Sequence, residues 1–343
     1  MAGSRTECVV SRFTLDAAMA GDEQAFRAVI SPHVRELHLH CYRMLGSITA
    51  AEDTLQEVLI AAWRGLDGFA GRSSVRTWLY RIATNRCLNA IRDGKRRTPP
   101  EPIPPFDPPP PSRRGEITWL QPYPDSWLEQ VTNEDGPAAR YETREAVEMA
   151  FIVALQRLPP RQAAALLLCD VLGYSIGEAA TMLDTSATAA KGTLQRARTS
   201  LDRLRAAPGG HATARPGSRS ELALARRFAE ALTSDDIDGV VALLTDDAWL
   251  AMPPAPHEYH GRVAIASFLQ ASALWNGPRT VRLLDTRANN QPAFGTYVAA
   301  PNSAKSHPTG LIVLTICDKR ISAITRFLDE QLPGTFGLPG KPG

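Results

Sequence analysis

Aromatic residues make up only 7% of this 343-residue chain, and long apolar runs are missing altogether. No stretch reaches the roughly 20 consecutive apolar residues that a membrane-crossing helix requires. The first ten residues, MAGSRTECVV, lack the apolar core of a secretory signal. The sequence therefore predicts a cytoplasmic protein with no membrane partner. Cysteine is scarce as well: Cys8, Cys41, Cys87, Cys169 and Cys317 stand singly, without a CxxC pair. An odd count so spaced excludes a disulfide framework and a structural zinc site. A large excess of either charge is also absent, the formal net charge being +2, so the distribution of charge is what has to be read.

What the chain does have is length and unevenly placed proline. It is too long for one ordinary core and predicts two or three domains. Residues Pro99 to Pro124 hold eleven of the 27 prolines, a composition that favours extended polyproline geometry over a packed core. This segment divides the chain, and a shorter break, AAPGGHATARPGS, divides it again near Ala206–Ser218.

Before the proline-rich segment the apolar period is helical. Phe26, Ile30, Val34, Leu37, Cys41 and Met44 recur at three- and four-residue steps, with Ser31-Pro32 expected as an N-cap and first-turn proline. A second helix is expected to open with the capping box Thr49–Glu52 and to bury Leu55, Val58, Leu59, Ala62 and Leu66. Its outer face carries Asp53, Gln56, Glu57, Ile60 and Arg64. An acidic face with an exposed isoleucine suits a protein partner better than DNA.

A third helix, from about Ser74, has its apolar stripe on Val75, Leu79, Ile82, Ala83 and Ala90. Between Arg72 and Arg97 lie eight basic residues against the single acid Asp93. Trp78, Arg81, Asn85 and Arg92 fall opposite the stripe, beside Arg76. A tryptophan among arginines offers a stacking surface for unpaired bases. The same pattern also suits a Trp78 packed on a neighbouring helix with the arginines solvated.

Beyond the proline-rich segment, Tyr174 to Arg205 reads as two helices joined by a tight turn at Asp184-Thr185. Ile176, Ala179, Ala180 and Leu183 form the buried side of the first, and Ser186 caps the second. In the second, Ala190, Leu194, Ala197, Leu201 and Leu204 face inward, which leaves Thr188, Lys191, Gly192, Gln195 and Thr199 outward, flanked by Arg196 and Arg198. Small residues for close approach, polar groups for base edges and arginines for phosphates are the layout of a helix entering a major groove. An ordinary helical hairpin with a solvated basic face is the plainer alternative.

These segments resemble the extracytoplasmic-function (ECF) sigma factors of bacterial RNA polymerase. The likeness rests on AEDTLQEVLIAAWRGLDGF, on SVRTWLYRIATNRCLNAIRD and on the helix-turn-helix ending LQRAR, in that order around a linker. It implies a sigma region 2 helical domain over 12–97, a linker over 98–138 and a sigma region 4 helix-turn-helix domain over 139–207. It further implies that Asp53, Gln56, Glu57 and Ile60 dock on core RNA polymerase. Arg76, Trp78, Arg81, Asn85 and Arg92 would hold the melted −10 element of promoter DNA. Ser186, Thr188, Lys191, Gln195, Arg196 and Arg198 would read the −35 duplex. A sigma factor performs no covalent chemistry, so no catalytic residue, metal or cofactor is assigned.

After a second linker, 208–218, residues 219–335 change character. One helix carries Leu222, Ala225, Ala229 and Leu232, another runs through GRVAIASFLQ, and the strands TVRLLDT, AFGTYVA, GLIVLTIC and ISAITRFL follow, the last two forming a hairpin near Asp318-Lys319. With DDAWLAMPPAPHEYHGRVAIASFL, NNQPAFGTYV and ITRFLDE, this tail resembles the α+β cone of SnoaL-like polyketide cyclases and nuclear transport factor relatives. The whole chain thus looks like a sigma factor with an appended SnoaL-like regulatory domain; a DGGGR-like motif found in a better-known branch is absent.

The linker itself poses a question: Trp119, Tyr123 and Trp127 are aromatics in a hydrophilic tether, and they need a surface to bury on. The motif WLQPYPD, with Trp119, Pro122, Tyr123 and Pro124, is expected to dock on the tail; packing on the first helix of the second module is the alternative. Two further temptations are weaker. In HVRELHLHC only His38 and Cys41 share a face, and Cys41 belongs to the core stripe, so no metal site is assigned. His257, Glu258, Tyr259 and His260 have side chains suited to acid–base work, but none maps onto a catalytic residue of the cyclases, and fold alone does not make an enzyme. A small-molecule ligand of the tail stays open. So does a different reading of the whole, a DNA-binding regulator whose tail is a sensor or enzyme and which would not need the acidic face around Asp53.

Overall fold

The computed structural model describes residues 12–94, 107–114, 120–132, 147–205 and 216–342, apart from 302, 304, 318 and 341. In chain order the helices are α1 (Arg12–Met19), α2 (Glu23–Ile30), α3 (Val34–Leu45), α4 (Ile48–Gly65), α5 (Val75–Gly94), α6 (Asp125–Thr132), α7 (Met149–Arg157), α8 (Pro160–Leu166), α9 (Ile176–Met182), α10 (Ala187–Arg205), α11 (Arg219–Thr233), α12 (Ile237–Ala242), α13 (Gly261–Asn276) and α14 (Leu332–Thr335). The strands are β1 (Arg113–Arg114), β2 (Leu244–Met252), β3 (Ala255–His260), β4 (Thr280–Ala288), β5 (Gln291–Ala299), β6 (Ser306–Cys317) and β7 (Arg320–Phe327). The chain divides into two compact units, one of residues 1–98 with 155–199, the other of 99–154 with 200–343.

In the first unit, helix boundaries follow from local chemistry. Asp22 caps α2 by accepting from the N–H groups of Gln24 and Ala25 at 2.8 and 3.0 Å. Ser31 is no N-cap: it adopts helical angles as the C-cap of α2, its N–H donating to the Arg27 carbonyl, and the chain passes through a 3₁₀ turn, Ser31–His33, where Pro32 supplies no N–H, and re-enters a helix as α3. Gly46, at φ 71°, ends α3 in the left-handed conformation. That reversal leaves Ser47 as the extended residue before α4, and its hydroxyl accepts from Ala50 N–H at 3.2 Å. The helix therefore starts ahead of the capping box expected at Thr49.

Leu37, Cys41 and Tyr42 of α3, Val58 and Ala62 of α4, and Leu79, Ala83 and Cys87 of α5 are buried where the three helices meet, and Val29 of α2 is buried as well. On α5 the buried stripe is Leu79, Tyr80, Ala83, Thr84 and Cys87, rotated from the expected one because Tyr80 turns inward. His40 is sealed there too, its ring nitrogen 2.9 Å from Thr84 Oγ1, and burial pushes its pKa down to about 3. That imidazole is a neutral core group. Among the described residues no group of three or more His, Cys, Asp or Glu could hold a metal, and no helix is long and apolar enough to cross a membrane.

The second unit is built on a sheet of order β1-β3-β2-β7-β6-β5-β4, in which β2 and β7 run parallel and every other pair is antiparallel. Alternation puts Leu250, Phe294, Ile312, Leu314 and Ile324 on one face, where they meet Phe228 of α11 and Ile265 and Phe268 of α13. Phe228 stacks on Phe294 with centroids 6.1 Å apart. Helices on one face of a curved mixed sheet give the α+β cone expected of the tail. β4 turns into β5 through Asn289-Asn290, both at positive φ (55° and 60°), the primed hairpin turn that asparagine tolerates. Strand β1 lies inside the proline-rich segment and extends the sheet edge by pairing Arg113 with Glu258 and Arg114 with His257.

Candidate nucleic-acid interface

The second helix of the helix-turn-helix, α10, presents the cleanest surface. Ser175 caps α9 in a full capping box with Glu178, a signal the sequence held in SIGE. Asp184 takes the left-handed turn at φ 49°, and Ser186 Oγ accepts from Ala189 N–H at 3.2 Å at the start of α10. Ala190, Leu194 and Ala197 are buried, while Ser186, Thr188, Lys191, Gln195, Arg196 and Arg198 are all exposed. Two of the arginines are tethered: Arg196 donates to Thr193 Oγ1 at 3.2 Å, and Arg198 makes a bidentate pair with Asp170 at 3.0 and 2.7 Å. Such an exposed pair is worth little in water, so phosphate can compete for Arg198.

The α5 face is less open than its wheel suggests. Arg81 and Arg92 are exposed. Trp78 is only half-exposed: its ring packs on Phe69 at 5.2 Å between centroids and lies over Gly65. An aromatic of that size covers the turn after α4 instead of standing in water.

Asn85 Nδ2 donates to the Met182 carbonyl at 3.3 Å. Arg76 is held by Glu36, with nitrogen–oxygen distances of 2.8 and 2.9 Å, and by the hydroxyl of Tyr174 at 3.3 Å. Burial works to lower the Arg76 pKa, but Tyr80, Glu36 and Tyr174 raise it overall. Burial likewise works to raise the Glu36 carboxyl, and the bonds from His33 and Arg76 hold it below its usual range. Glu36, Tyr174 and Met182 were invisible as partners in the sequence, because they lie 40, 98 and 97 residues from the side chains they bind.

The outer face of α4 carries Asp53, Gln56, Glu57 and Ile60 in a row of exposed residues. Ile60 is 52% exposed and Trp63, one turn on, 39%. Glu57 lies 3.8 Å from Arg86 of α5, at the limit of an ion pair.

In the second unit the linker motif is seated on the tail. Pro122, Tyr123 and Pro124 are buried, whereas Trp119 lies outside the described residues. Asn289 Oδ1 accepts from Tyr123 N–H at 2.7 Å, and Asn289 N–H donates back to the Tyr123 carbonyl at 2.9 Å. Pro124 bridges Ala288. Asp125 accepts from Asn290 N–H at 2.8 Å and from Arg287 at 3.2 Å, and Arg287 also pairs with the buried Glu221 at 3.0 Å. The run NNQ after a strand was the available signal: all three residues are polar, and all three are buried. Further back, Tyr259 donates to the Pro109 carbonyl at 2.8 Å and His260 N–H to Ser112 Oγ at 3.0 Å. The four residues weighed for acid–base work do not converge on one point: strand alternation sends His257 and Tyr259 to one face of β3 and Glu258 and His260 to the other, where the His260 Nε2 lies 3.2 Å from Glu258 Oε2.

The Sigma-70 region 2 family matches residues 29–97, the Sigma-70 region 4 family residues 148–201, and the SnoaL-like domain residues 225–324. The ECF RNA polymerase sigma factor SigG of Mycobacterium tuberculosis is 41% identical over 318 residues, covering 92% of this chain and 84% of SigG. The chain belongs to the ECF RNA polymerase sigma factors. SigM of the same organism is 32% identical over 190 residues, or 55% of this chain and 82% of SigM. The crystal structure of M. tuberculosis SigJ, another ECF sigma factor, superposes with a TM-score of 0.58 at 19% identity, covering 92% of this chain and 99% of that one; at that identity the likeness is one of fold. In this sigma factor α3 to α5 fall within the region 2 match, and α7 to α9 with most of α10 within the region 4 match. The SnoaL-like match spans most of the cone.

Proposed function

We propose that this sigma factor binds core RNA polymerase, brings it to promoter DNA and starts transcription there, with the SnoaL-like tail modulating its output. Asp53, Gln56, Glu57 and Ile60 form the polymerase contact. Ser186, Thr188, Lys191, Gln195, Arg196 and Arg198 read the −35 duplex, Ser186, Thr188 and Gln195 near base edges and Lys191 and the two arginines at phosphates. Arg76, Trp78, Arg81, Asn85 and Arg92 hold the melted −10 strand, Arg81 and Arg92 from the start and the others once their intramolecular partners let go. Pro122, Tyr123 and Pro124 tie the linker to the tail. The tail receives a small molecule in its cone and passes that state to the linker.

The observation that carries this reading is the α10 surface: one helix face, capped at its start by Ser186, with a buried alanine–leucine stripe behind and six exposed polar or basic side chains in front. Reconstitution with core polymerase on a library of promoter templates tests it. Initiation at a shared sequence motif is expected, lost when Lys191 and Gln195 are both changed to alanine. Absence of initiation on every template would overturn the assignment.

A further inference from the structure

The last turn of an α-helix leaves carbonyls with no partner inside the helix, and in this protein the two Sigma-70 modules satisfy some of these for each other. At the end of α3 the Arg43 and Met44 carbonyls accept from Gln156 Nε2 of α7 at 3.4 and 3.3 Å. At the end of α9 the Met182 carbonyl accepts from Asn85 Nδ2 of α5 at 3.3 Å. Helices α3 and α5 belong to the region 2 match, α7 and α9 to the region 4 match. Each module thus caps a helix of the other.

Tyr174 adds a third point of attachment. It stands just before α9, and its hydroxyl accepts from Arg76 Nη1 at 3.3 Å. Its ring meets the buried Tyr80 edge-on with centroids 5.9 Å apart, and the Arg76 guanidinium carbon lies 5.8 Å from its centre. Glu36 already fixes the Arg76 fork from the region 2 side. The polar bonds that join the modules are 3.3–3.4 Å long, and bonds of that length contribute only modestly against water. The clasp is therefore reversible. Two of the side chains it holds, Arg76 and Asn85, are among those assigned to the melted −10 strand, and DNA offers them the same kind of acceptor in phosphate oxygens and base edges. An N–H that donates to Tyr174 or Met182 is not available to either.

We infer that region 4 occupies part of the −10 strand's seat in the free protein, the Met182 carbonyl and the Tyr174 hydroxyl taking the places of DNA acceptors, so that a single strand binds α5 fully only after the clasp opens. The inference rests on the proposal that α5 holds the melted −10 strand, and it names what competes for that face. The observed affinity for a single strand is then the intrinsic affinity reduced by the fraction of open molecules. Weakening the clasp at Tyr174 or Gln156, neither of which is assigned to DNA, tightens binding. Loss of a DNA contact does the opposite.

The test is fluorescence anisotropy of the full chain, without polymerase, titrated against labelled oligothymidylate as a sequence-neutral single strand. Tyr174→Phe keeps the ring and removes the hydroxyl; Gln156→Ala removes the cap on α3. Each is expected to tighten binding by about threefold to fivefold, and the double variant by about tenfold. A second measurement needs no variant: nitration of Tyr174 by tetranitromethane, mapped by mass spectrometry, should rise in the parent when the oligonucleotide saturates it. Burial holds the Tyr174 phenol above its usual pKa, and release restores the reactive phenolate. Parent and variants that bind equally tightly, or nitration that DNA leaves unchanged, would overturn the clasp and leave the −10 reading of α5 standing. No binding by any of the four proteins overturns that reading and the clasp together.

Discussion

Tyr123 and Asn289 exchange two hydrogen bonds, the asparagine side chain accepting at 2.7 Å and its backbone donating at 2.9 Å. One residue of the linker is thereby read like a short strand by a turn of the cone, while the buried Tyr123 ring adds apolar area. Asn289 is at φ 55°, so alanine there would add backbone strain, but glycine would not. Asn289→Gly therefore isolates the side chain. It leaves the buried Tyr123 N–H without its acceptor, a loss of about 1–3 kcal/mol. Hydrogen exchange is expected to accelerate at residues 120–128 while β6 and β7 keep their protection; unchanged exchange in the linker would mean that the asparagine does not hold it.

The Glu36 carboxyl, bridged to Arg76, His33 and Tyr80, gives a pH prediction. Its folded pKa is depressed, so the unfolded state binds protons more readily, and the stabilisation is present above the unfolded value of about 4.3. It is lost as pH falls through the lower folded value. Glu36→Gln should flatten the loss of stability below about pH 4. It should also loosen Arg76. A thermal-melting series from neutral pH to pH 3 on both proteins measures this, and parallel curves would refute it.

Trp78 offers a test of mixed roles. A residue that only stacks on DNA could be removed without cost to the free protein, but this one packs on Phe69 and Gly65. Half-burial of an indole suggests that Trp78→Ala costs on the order of 2 kcal/mol. The melting temperature would then fall by roughly 4–8 °C. Trp78→Phe should recover much of that. If Trp78→Ala melts like the parent, the ring contributes nothing to the free fold.

Sequence reading captured many of the features whose cause is local, though not the caps at Ser31 and Ser47. Helix periods, the Asp184 turn, the Ser186 cap and the outward row of α10 depend on neighbours within a few residues. Strands β2 and β3 escaped it because Pro253-Pro254 interrupts the alternation where the hairpin turns. Strand β1 escaped because its pairing comes from Glu258 and His257, far along the chain, and proline-rich composition argues against any strand. The occupancy of Arg76 and Asn85 is a product of tertiary pairing. A helical wheel gives direction without saying what stands in that direction.

On α10, Lys191 and Gln195 should fail differently. Lysine is a compact charge suited to phosphate or to a guanine edge, whereas glutamine pairs bidentately with adenine. Lys191→Ala is expected to weaken binding across all sequences and to reduce the salt slope by about one. Gln195→Ala should relax the preference at one base pair by about 1–3 kcal/mol. Competition binding of the holoenzyme against single-substituted promoters separates the two. Identical specificity profiles for both variants would place neither side chain at a base.

Ile60 stands 52% exposed beside Trp63 on a row otherwise made of Asp53, Gln56 and Glu57. A single exposed isoleucine needs no explanation; two large apolar side chains one turn apart among acids have the make-up of a contact patch with a polar rim, as the proposed polymerase contact requires. Trp63 is partly used at home, its ring meeting Phe26 at 5.0 Å, so Ile60 is the cleaner probe. Covering the exposed half of its side chain is worth about 1–1.5 kcal/mol, which corresponds to roughly a tenfold change in affinity. Ile60→Ser is therefore expected to weaken binding to core polymerase by about that factor with the melting temperature unchanged. Glu57→Lys on the same row should weaken it in a salt-dependent manner, chiefly through the association rate. If both variants bind core polymerase as tightly as the parent, the contact lies on another face of region 2, and the acidic row is only a solvated surface.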